Sequence, residues 1–169
     1  MNTREQLFGL LDDMELVVKI FGIEFFEIYF LGGAACILGG YTDRATRDFD
    51  FIDLEYKATL GRAFNILRDY DMLEYSSTIL APDFKSRAMK LGKYKEFNAY
   101  VLAPEDIVVS KIIRLEQKDL QDIGELIVLC DKKLINKIIS DVLGRDDLFE
   151  SKKQGFMQNL QLFREQFDV

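Results

Sequence analysis

Histidine is absent from the 169 residues of this chain. Its absence excludes Ser-His-Asp and Cys-His catalysis, as well as histidine-ligated zinc and haem. Any chemistry must therefore rely on carboxylates, Lys, Arg, Tyr, Ser or Thr, or on a bound metal. Metal-assisted phosphoryl transfer meets this restriction, because its protein groups mainly position charge.

Cysteines are few, and long apolar runs are missing. Cys36 and Cys130 lie in apolar sequence without the paired spacing of a zinc site, so we expect free thiols in a reducing compartment. No apolar run approaches the ~20 residues that cross a bilayer. Residues 1–5 show no signal-peptide pattern. Together these features predict a cytoplasmic protein with no membrane partner.

Material for a core is plentiful, although the chain is acidic. Hydrophobic residues make up 49% of the sequence, and 14 Phe and 7 Tyr supply bulky side chains in the absence of Trp. The length suits one domain, or a core with a helical appendage. The net charge of -7 argues against binding to duplex DNA.

Local patterns predict an α+β core over residues 1–103. Thr3–Gln6 forms a capping box that opens an amphipathic helix. Glu27–Leu31 is typical of a buried strand, and the short helix 34–38 follows it. The alternation over Asp48–Glu55 predicts a second strand.

The rest of the core and the C-terminal part differ in pattern. We expect a helix over Leu60–Tyr70 and strands within Met72–Leu80 and Ser86–Leu102. Pro104 and the acids after it are typical of a helix start. Helical stripes continue to the end, so residues 104–169 are predicted to form a helical part packed on the core.

Two glycines and two aspartates are the first candidate site. Gly32 and Gly33 follow a strand and precede a helix, where backbone amides can hold a phosphate. Asp48 and Asp50 stand two apart on a strand, so both carboxylates leave the same face, roughly 6–7 Å apart. Such a pair suits magnesium together with substrate phosphates. The alternatives are a plain strand-to-helix turn and two solvated acids at a strand edge.

The combined pattern resembles the nucleotidyltransferase-fold superfamily. More narrowly, it is similar to bacterial nucleotidyltransferase-like proteins related to abortive-infection and type IV toxin–antitoxin toxins. The residues that carry the resemblance are Gly32, Gly33, Ala34 or Ala35, Arg44, Thr46, Asp48 and Asp50, followed by Leu102–Asp106, Ser110, Lys111 and Lys118–Ile123. The resemblance covers residues 28 to 127 and implies a mixed sheet flanked by helices.

The resemblance also implies roles for single residues. Asp48 and Asp50 would bind Mg²⁺, and Gly32 and Gly33 would hold the triphosphate of a nucleoside triphosphate. The remaining nucleotide-binding residues would be Arg44, Thr46 and Arg47, with either arginine neutralising phosphate charge.

A later segment would complete the site. By resemblance, Lys111 would contact phosphate, and Asp119 or Asp122 would join it. On one unbroken helix, Lys111 and Asp122 would lie ~16 Å apart, so they meet only if the chain turns near Gln117–Lys118. The local alternatives are an N-cap role for Asp119, with Asp122 in the first helical turn, and a surface role for Lys111.

One departure from the superfamily pattern concerns a third carboxylate on a later strand. The candidate strand over residues 97–101 offers Asn98 and no aspartate. Residue 98 therefore cannot act as the general base that activates an acceptor. The basic residues Lys85, Arg87, Lys90, Lys93 and Lys95 form either a contact for an RNA or nucleotide acceptor or a solvated hairpin face.

These observations support three hypotheses. The leading one is a magnesium-dependent transfer of a nucleoside monophosphate from an NTP to an RNA or protein acceptor. The second is a catalytically silent nucleotide-binding module, or a toxin–antitoxin partner that binds an antitoxin-like protein. The third is a partner-binding protein that uses the aromatic stripe from Phe156 to Phe167.

Overall fold

Strands and helices alternate over the first hundred residues, and helices alone follow. The computed structural model describes residues 1–169. The strands are β1 Glu27–Leu31, β2 Phe49–Ile52, β3 Tyr70–Leu73, β4 Met89–Leu91 and β5 Asn98–Val101. The helices are α1 Arg4–Ile20, α2 Gly32–Leu38, α3 Gly61–Phe64, α4 Phe84–Arg87, α5 Pro104–Lys111, α6 Gln117–Leu126, α7 Lys132–Leu143 and α8 Glu150–Phe167. This mixed α+β content confirms the predicted fold class.

The five strands form one mixed sheet in the order β3-β2-β1-β5-β4. The central strand β1 is antiparallel to β2 and parallel to β5. Outside these, β3 is parallel to β2, and β4 is antiparallel to β5. The short link through Gly32 and α2 thus returns the chain beside β1 in the opposite direction.

Alternation along the strands gives the sheet an aromatic face and a polar face. Phe30, Phe49 and Phe51 are fully buried on the aromatic face. Phe64 of α3 packs on this face, with its ring centroid 5.0 Å from that of Phe51. Asp50 projects from the opposite face, because it stands between Phe49 and Phe51 on β2.

Local signals place several element ends where the sequence predicted them. The Thr3 side chain accepts from the Gln6 amide, and the Gln6 side chain accepts from the Thr3 amide, which confirms the capping box of α1. Pro104 is the first residue of α5, as expected. None of the helices combines the length and the apolar character that crossing a membrane requires.

Two predicted elements are shorter than expected. The strand predicted over Met72–Leu80 ends at Leu73, and a 3₁₀ turn follows. The Thr78 hydroxyl donates to the Glu74 carbonyl at 2.6 Å, a local bond that competes with strand pairing. The helix predicted over Leu60–Tyr70 is α-helical only in α3, with 3₁₀ turns on both sides.

The chain forms two compact units, one of residues 1–73 and 88–102, and one of residues 74–87 and 103–169. The first unit holds the whole sheet with α1 to α3, and the second holds the remaining helices. The sequence predicted two domains that divide between residues 103 and 104. These compact units do not test that division, so it stays a prediction.

Within the second unit, a buried arginine links residues 74–87 to the segment after α7. Arg145 is 3% exposed. Its guanidinium donates to the carbonyls of Tyr75, Thr78 and Leu80 at 2.8–3.0 Å, and to the Asp147 carboxylate at 2.9 Å. It also lies 3.7 Å from the Tyr75 ring centroid. Only a fork of several N–H groups can satisfy this many acceptors at once.

Replacing this fork tests the role of Arg145. Arg145→Lys keeps the charge but leaves buried carbonyls without donors, so we expect the free energy of unfolding to fall by about 2–3 kcal/mol. Arg164→Lys, at an exposed position, is the matched control and should change it by less than about 0.5 kcal/mol. Urea denaturation measures both; equal values would contradict the role.

Candidate nucleotide site

The glycine turn after β1 lies directly against side chains of the next strand. Gly32 has a φ of +66°, and a Cβ built on it would collide with Oδ2 of Asp50. A Cβ on Gly33 would lie 2.8 Å from Oγ1 of Thr46. Only glycine fits these two positions without displacing Asp50 or Thr46. The structure therefore brings together four of the residues predicted for the site.

Strand pairing explains why Asp50 reaches this turn. Leu31, the last residue of β1, stands in register with Asp50. Asp48 immediately precedes β2 and shares its alternation with Asp50, while the intervening Phe49 is fully buried on the other face. Both aspartates are partly buried. The Asp50 carboxylate thus lies against the glycine turn, and a common face with Asp48 stays a prediction.

The loop before β2 is held by the N-terminal residues. The Asn2 amide donates to the Thr46 carbonyl at 2.6 Å, and the Thr46 amide donates to the Asn2 carbonyl at 3.1 Å. The Asn2 side chain also donates to the Arg47 carbonyl. Arg44 and Arg47 are exposed in this loop. The bridge at Asn2, which the sequence did not indicate, fixes the backbone that presents them.

Arg4 holds the C-terminal end of α2, the helix that begins at Gly32. Its Nε donates to the Ile37 carbonyl at 3.0 Å, and its Nη2 donates to the Leu38 carbonyl at 3.2 Å. These carbonyls stand at the C-terminal end of α2, where helical partners are missing. Just beyond, the Tyr41 hydroxyl donates to the Leu102 carbonyl at 3.1 Å. The segment between Gly32 and Thr46 is therefore anchored at several points.

A stacked tyrosine pair continues the polar face of the sheet. Tyr29 and Tyr100 face each other across β1 and β5, with ring centroids 4.5 Å apart. Burial, together with the nearby Glu27 carboxylate, raises the pKa of Tyr29 to about 12. The same two causes raise the pKa of Tyr100. Both phenols are therefore neutral at physiological pH.

Asn98 lies far along the sheet from the aspartate pair. It stands in register with Glu27, the first residue of β1, whereas Asp50 stands in register with Leu31, the last. These positions are roughly 13 Å apart along the strand. A carboxylate at residue 98 would therefore not have stood beside Asp50.

Another carboxylate, which sequence reasoning missed, does stand beside Asp50. Asp71 of β3 pairs in register with Asp50 on the parallel neighbouring strand, so the two side chains share a face. The sequence contains a repeat that could have indicated Asp71. The pattern Arg-Asp-aromatic-Asp occurs at residues 47–50 and again at residues 68–71. The structure places the two segments side by side.

Lys111 and Asp122 meet in the second unit. Helix α5 ends at Lys111, the chain turns, and α6 begins at Gln117. Across this turn, Nζ of Lys111 lies 2.8 Å from Oδ2 of Asp122 and 3.4 Å from Oδ1 of Asp119. The turn that the sequence required for this contact is present. A catalytic role for the pair stays a prediction.

Asp119 is not the N-cap of α6, which was the local alternative for this residue. Glu116 is the N-cap of α6, and Asp119 is the third helical residue, whose carboxylate accepts from the Glu116 amide. It also accepts two bonds from Arg114 at 2.7 Å. Burial acts to raise the pKa of Asp119, but the bonds from Arg114 and the charge of Lys111 outweigh it and lower the pKa.

The basic residues of the hairpin region are partly engaged within the fold. Arg87 binds Asp106 through two hydrogen bonds of 2.8–2.9 Å, and Asp83 lies 2.8 Å away. Lys93 pairs with Asp12 at 2.6 Å. These ion pairs account for Arg87 and Lys93 without an RNA or nucleotide.

No group of three carboxylates or thiols is placed to hold a metal by itself. The candidate metal ligands in the glycine-turn site are therefore the two carboxylates Asp48 and Asp50. This set fits magnesium, which commonly takes one or two protein carboxylates and fills its octahedron with phosphate oxygens and water.

Comparison with known proteins agrees with this arrangement. A family model described as a nucleotidyltransferase of unknown function (DUF6036) matches residues 5–167. The chain belongs to this family. No curated protein and no solved structure matches it.

The family match covers both the glycine-turn site and the Lys111–Asp122 pair. It confirms the nucleotidyltransferase part of the resemblance seen in the sequence. Its description names no donor, acceptor or metal. It also contains nothing on abortive infection or on toxin–antitoxin pairs, so that part of the resemblance stays a prediction.

The contact between the glycine turn and Asp50 can be separated from backbone strain. Gly22 has a similar φ of +61° but open space where a Cβ would lie, so it is the matched control. Gly22→Ala should cost about 1–2 kcal/mol of unfolding free energy through its φ alone. Gly32→Ala should cost at least about 1 kcal/mol more, because Asp50 must move. Equal losses in chemical denaturation would contradict the close contact.

The lowered pKa of Asp119 predicts a pH-dependent contribution to stability. This contribution is present above the unfolded pKa of about 3.9 and is lost as the pH falls through the folded value. Asp119→Asn should therefore cost about 2 kcal/mol at pH 7, and the difference from wild type should shrink below about pH 4.

Denaturation curves between pH 2.5 and 7 measure this difference. Asp146→Asn, at an exposed position, is the control and should have no effect beyond about 0.5 kcal/mol at any pH. A difference for Asp119→Asn that stays constant with pH would show that its carboxylate charge contributes nothing.

Proposed function

We propose that the protein transfers a nucleoside monophosphate from an NTP to an acceptor hydroxyl, with magnesium bound by Asp48 and Asp50. The observation that carries this proposal is the contact between the Gly32 turn and Asp50. It joins a backbone turn able to face phosphates with a carboxylate pair able to face a cation. Membership of a nucleotidyltransferase family supports the same chemistry.

The metal site of this proposal rests on the strand geometry. Asp48 and Asp50 present two oxygen ligands on one face, which is the donor type magnesium prefers. Bound there, magnesium supplies positive charge that offsets the triphosphate and polarises the phosphorus under attack. The carboxylates themselves fix where the triphosphate sits relative to the glycine turn.

The reaction is a substitution at the α-phosphorus. The acceptor oxygen forms a bond to that phosphorus while the bond to the oxygen bridging the α- and β-phosphates breaks. Pyrophosphate leaves with the electron pair of the broken bond, and the acceptor proton passes to a carboxylate or to water. The protein contributes positioning and electrostatic stabilisation in such a reaction, which requires no histidine.

The loop before β2 provides the positive charge in this scheme. Arg44 and Arg47 neutralise the triphosphate, and the Thr46 hydroxyl, which lies over Gly33, helps to orient it. For the second unit, the phosphate contact of Lys111 and the accompanying role of Asp122 that the resemblance implies stay predictions. Their ion pair holds the lysine side chain against α6.

A catalytically silent nucleotide-binding module is the second candidate. It is favoured by the lack of a three-carboxylate metal group. In this form the protein would hold an NTP as half of a toxin–antitoxin or regulatory pair. In the active form, the acceptor would be an RNA or a protein.

Labelled nucleotides distinguish these functions. The protein is mixed with each α-³²P-labelled NTP, with and without Mg²⁺, and with total cellular RNA or protein as acceptor. We expect magnesium-dependent binding and label transfer, and at least a ~100-fold loss of transfer in Asp50→Asn. Asp53→Asn is the matched control, because Asp53 only accepts a bond from the Glu55 amide, which asparagine can also accept.

The outcomes separate the candidates. Tight binding without transfer would favour the silent module. The absence of both binding and transfer, or an Asp50→Asn variant as active as wild type, would refute the enzyme.

A further inference from the structure

The two repeated Arg-Asp-aromatic-Asp segments line a shallow cavity that includes Asp48. It is open to the surface and has a volume of about 360 Å³. Its lining residues come from the two segments alone and are Arg47, Asp48, Arg68, Asp69, Tyr70 and Asp71. Parallel pairing of β2 with β3 creates it, because that register places corresponding residues of the repeat side by side.

The charges around this cavity are not used to hold the fold together. None of its five charged side chains forms a hydrogen bond or an ion pair with another side chain. The contrast is with Arg87 and Arg114, each of which is held by a carboxylate at 2.7–2.8 Å. Charged groups that converge on a cavity without internal partners are suited to a ligand that carries complementary groups.

The lining chemistry selects the kind of ligand. Arginine presents paired N–H donors that match a phosphate, and carboxylates accept bonds from hydroxyls. Five of the six lining residues are charged and the sixth is a tyrosine, so a wholly apolar group finds no matching surface. A phosphate together with neighbouring hydroxyls uses both arginines and aspartates.

The position of Asp48 links this cavity to the proposed reaction. Asp48 belongs to the proposed metal pair and also lines the cavity. A hydroxyl held here therefore lies next to the carboxylates that position the NTP. We propose that the cavity is the acceptor subsite and that it binds a ribose with free vicinal hydroxyls and a phosphate. This inference rests on the proposed function.

The size of the cavity limits the acceptor further. Its volume lies near the lower end of the range for small-molecule sites, roughly 300–1,000 Å³. It therefore has room for one terminal nucleotide. The net charge of -7 disfavours a long nucleic-acid contact beyond that terminus. Both a free mononucleotide and the 3′ end of a short RNA carry a ribose with free vicinal hydroxyls and a phosphate.

Binding of AMP tests the subsite once the donor site is saturated. Saturation uses Mg²⁺ and an NTP analogue with methylene between the α- and β-phosphorus atoms, whose own affinity is measured first. Arg68→Gln and Asp71→Asn should each weaken AMP at least tenfold and leave the affinity for the analogue within twofold. The controls Arg62→Gln and Asp53→Asn lie outside the cavity and should change neither affinity. AMP lacking both ribose hydroxyls should bind at least tenfold more weakly.

Short RNA identifies the source of the ribose phosphate. A pentaadenylate with a free 3′ end that binds as tightly as AMP, and loses binding when its 3′ end is phosphorylated, assigns the subsite to RNA termini. Binding of AMP alone assigns it to free nucleotides. Either result supports the subsite.

The subsite and the proposed function fail in different ways. The subsite is refuted if no probe binds, if Arg68→Gln and Asp71→Asn bind AMP like wild type, or if the hydroxyls make no difference. Failure of the NTP analogue to bind, with AMP recognition intact, refutes the donor site and with it the proposed transfer.

Discussion

The close approach of Asp50 to the backbone at Gly32 is the constraint on which the candidate site depends. Antiparallel pairing of β1 with β2 sets Leu31 opposite Asp50, so the carboxylate lies over the turn that ends β1. A side chain at Gly32 would occupy the same space and would also need a left-handed backbone. The turn, the helix α2 and the aspartate pair therefore form one arrangement, and a change in any of them alters the others.

Charged side chains in this structure are of two kinds, those paired within the fold and those that line a cavity. In the second unit, buried ionic groups are paired, as in Arg114 with Asp119 and Arg87 with Asp106. Such pairing avoids the large desolvation cost of a lone buried charge. In the first unit, the five charged side chains that line the cavity, those of Arg47, Asp48, Arg68, Asp69 and Asp71, form no hydrogen bond or ion pair with another side chain. The paired charges stabilise the fold, and the others form the proposed acceptor subsite.

A chain without histidine can still carry out nucleotidyl transfer by positioning alone. The proposed site uses carboxylates for a metal, arginines for phosphate and a glycine turn for close backbone approach. Membership of a nucleotidyltransferase family agrees with these ingredients. The active and the silent form differ in the path of the acceptor proton, and Asp71, in register with Asp50, is a carboxylate on the same face.

The sequence by itself determined the features that depend on neighbouring residues. The capping box at Thr3 and the strand over Glu27–Leu31 follow from local spacing. Tertiary structure alone decided which distant segments meet. The bridge from Asn2 to Thr46 and the register of Asp71 with Asp50 depend on pairing across the fold. A local pattern cannot encode such partners, because many strand orders satisfy the same alternation.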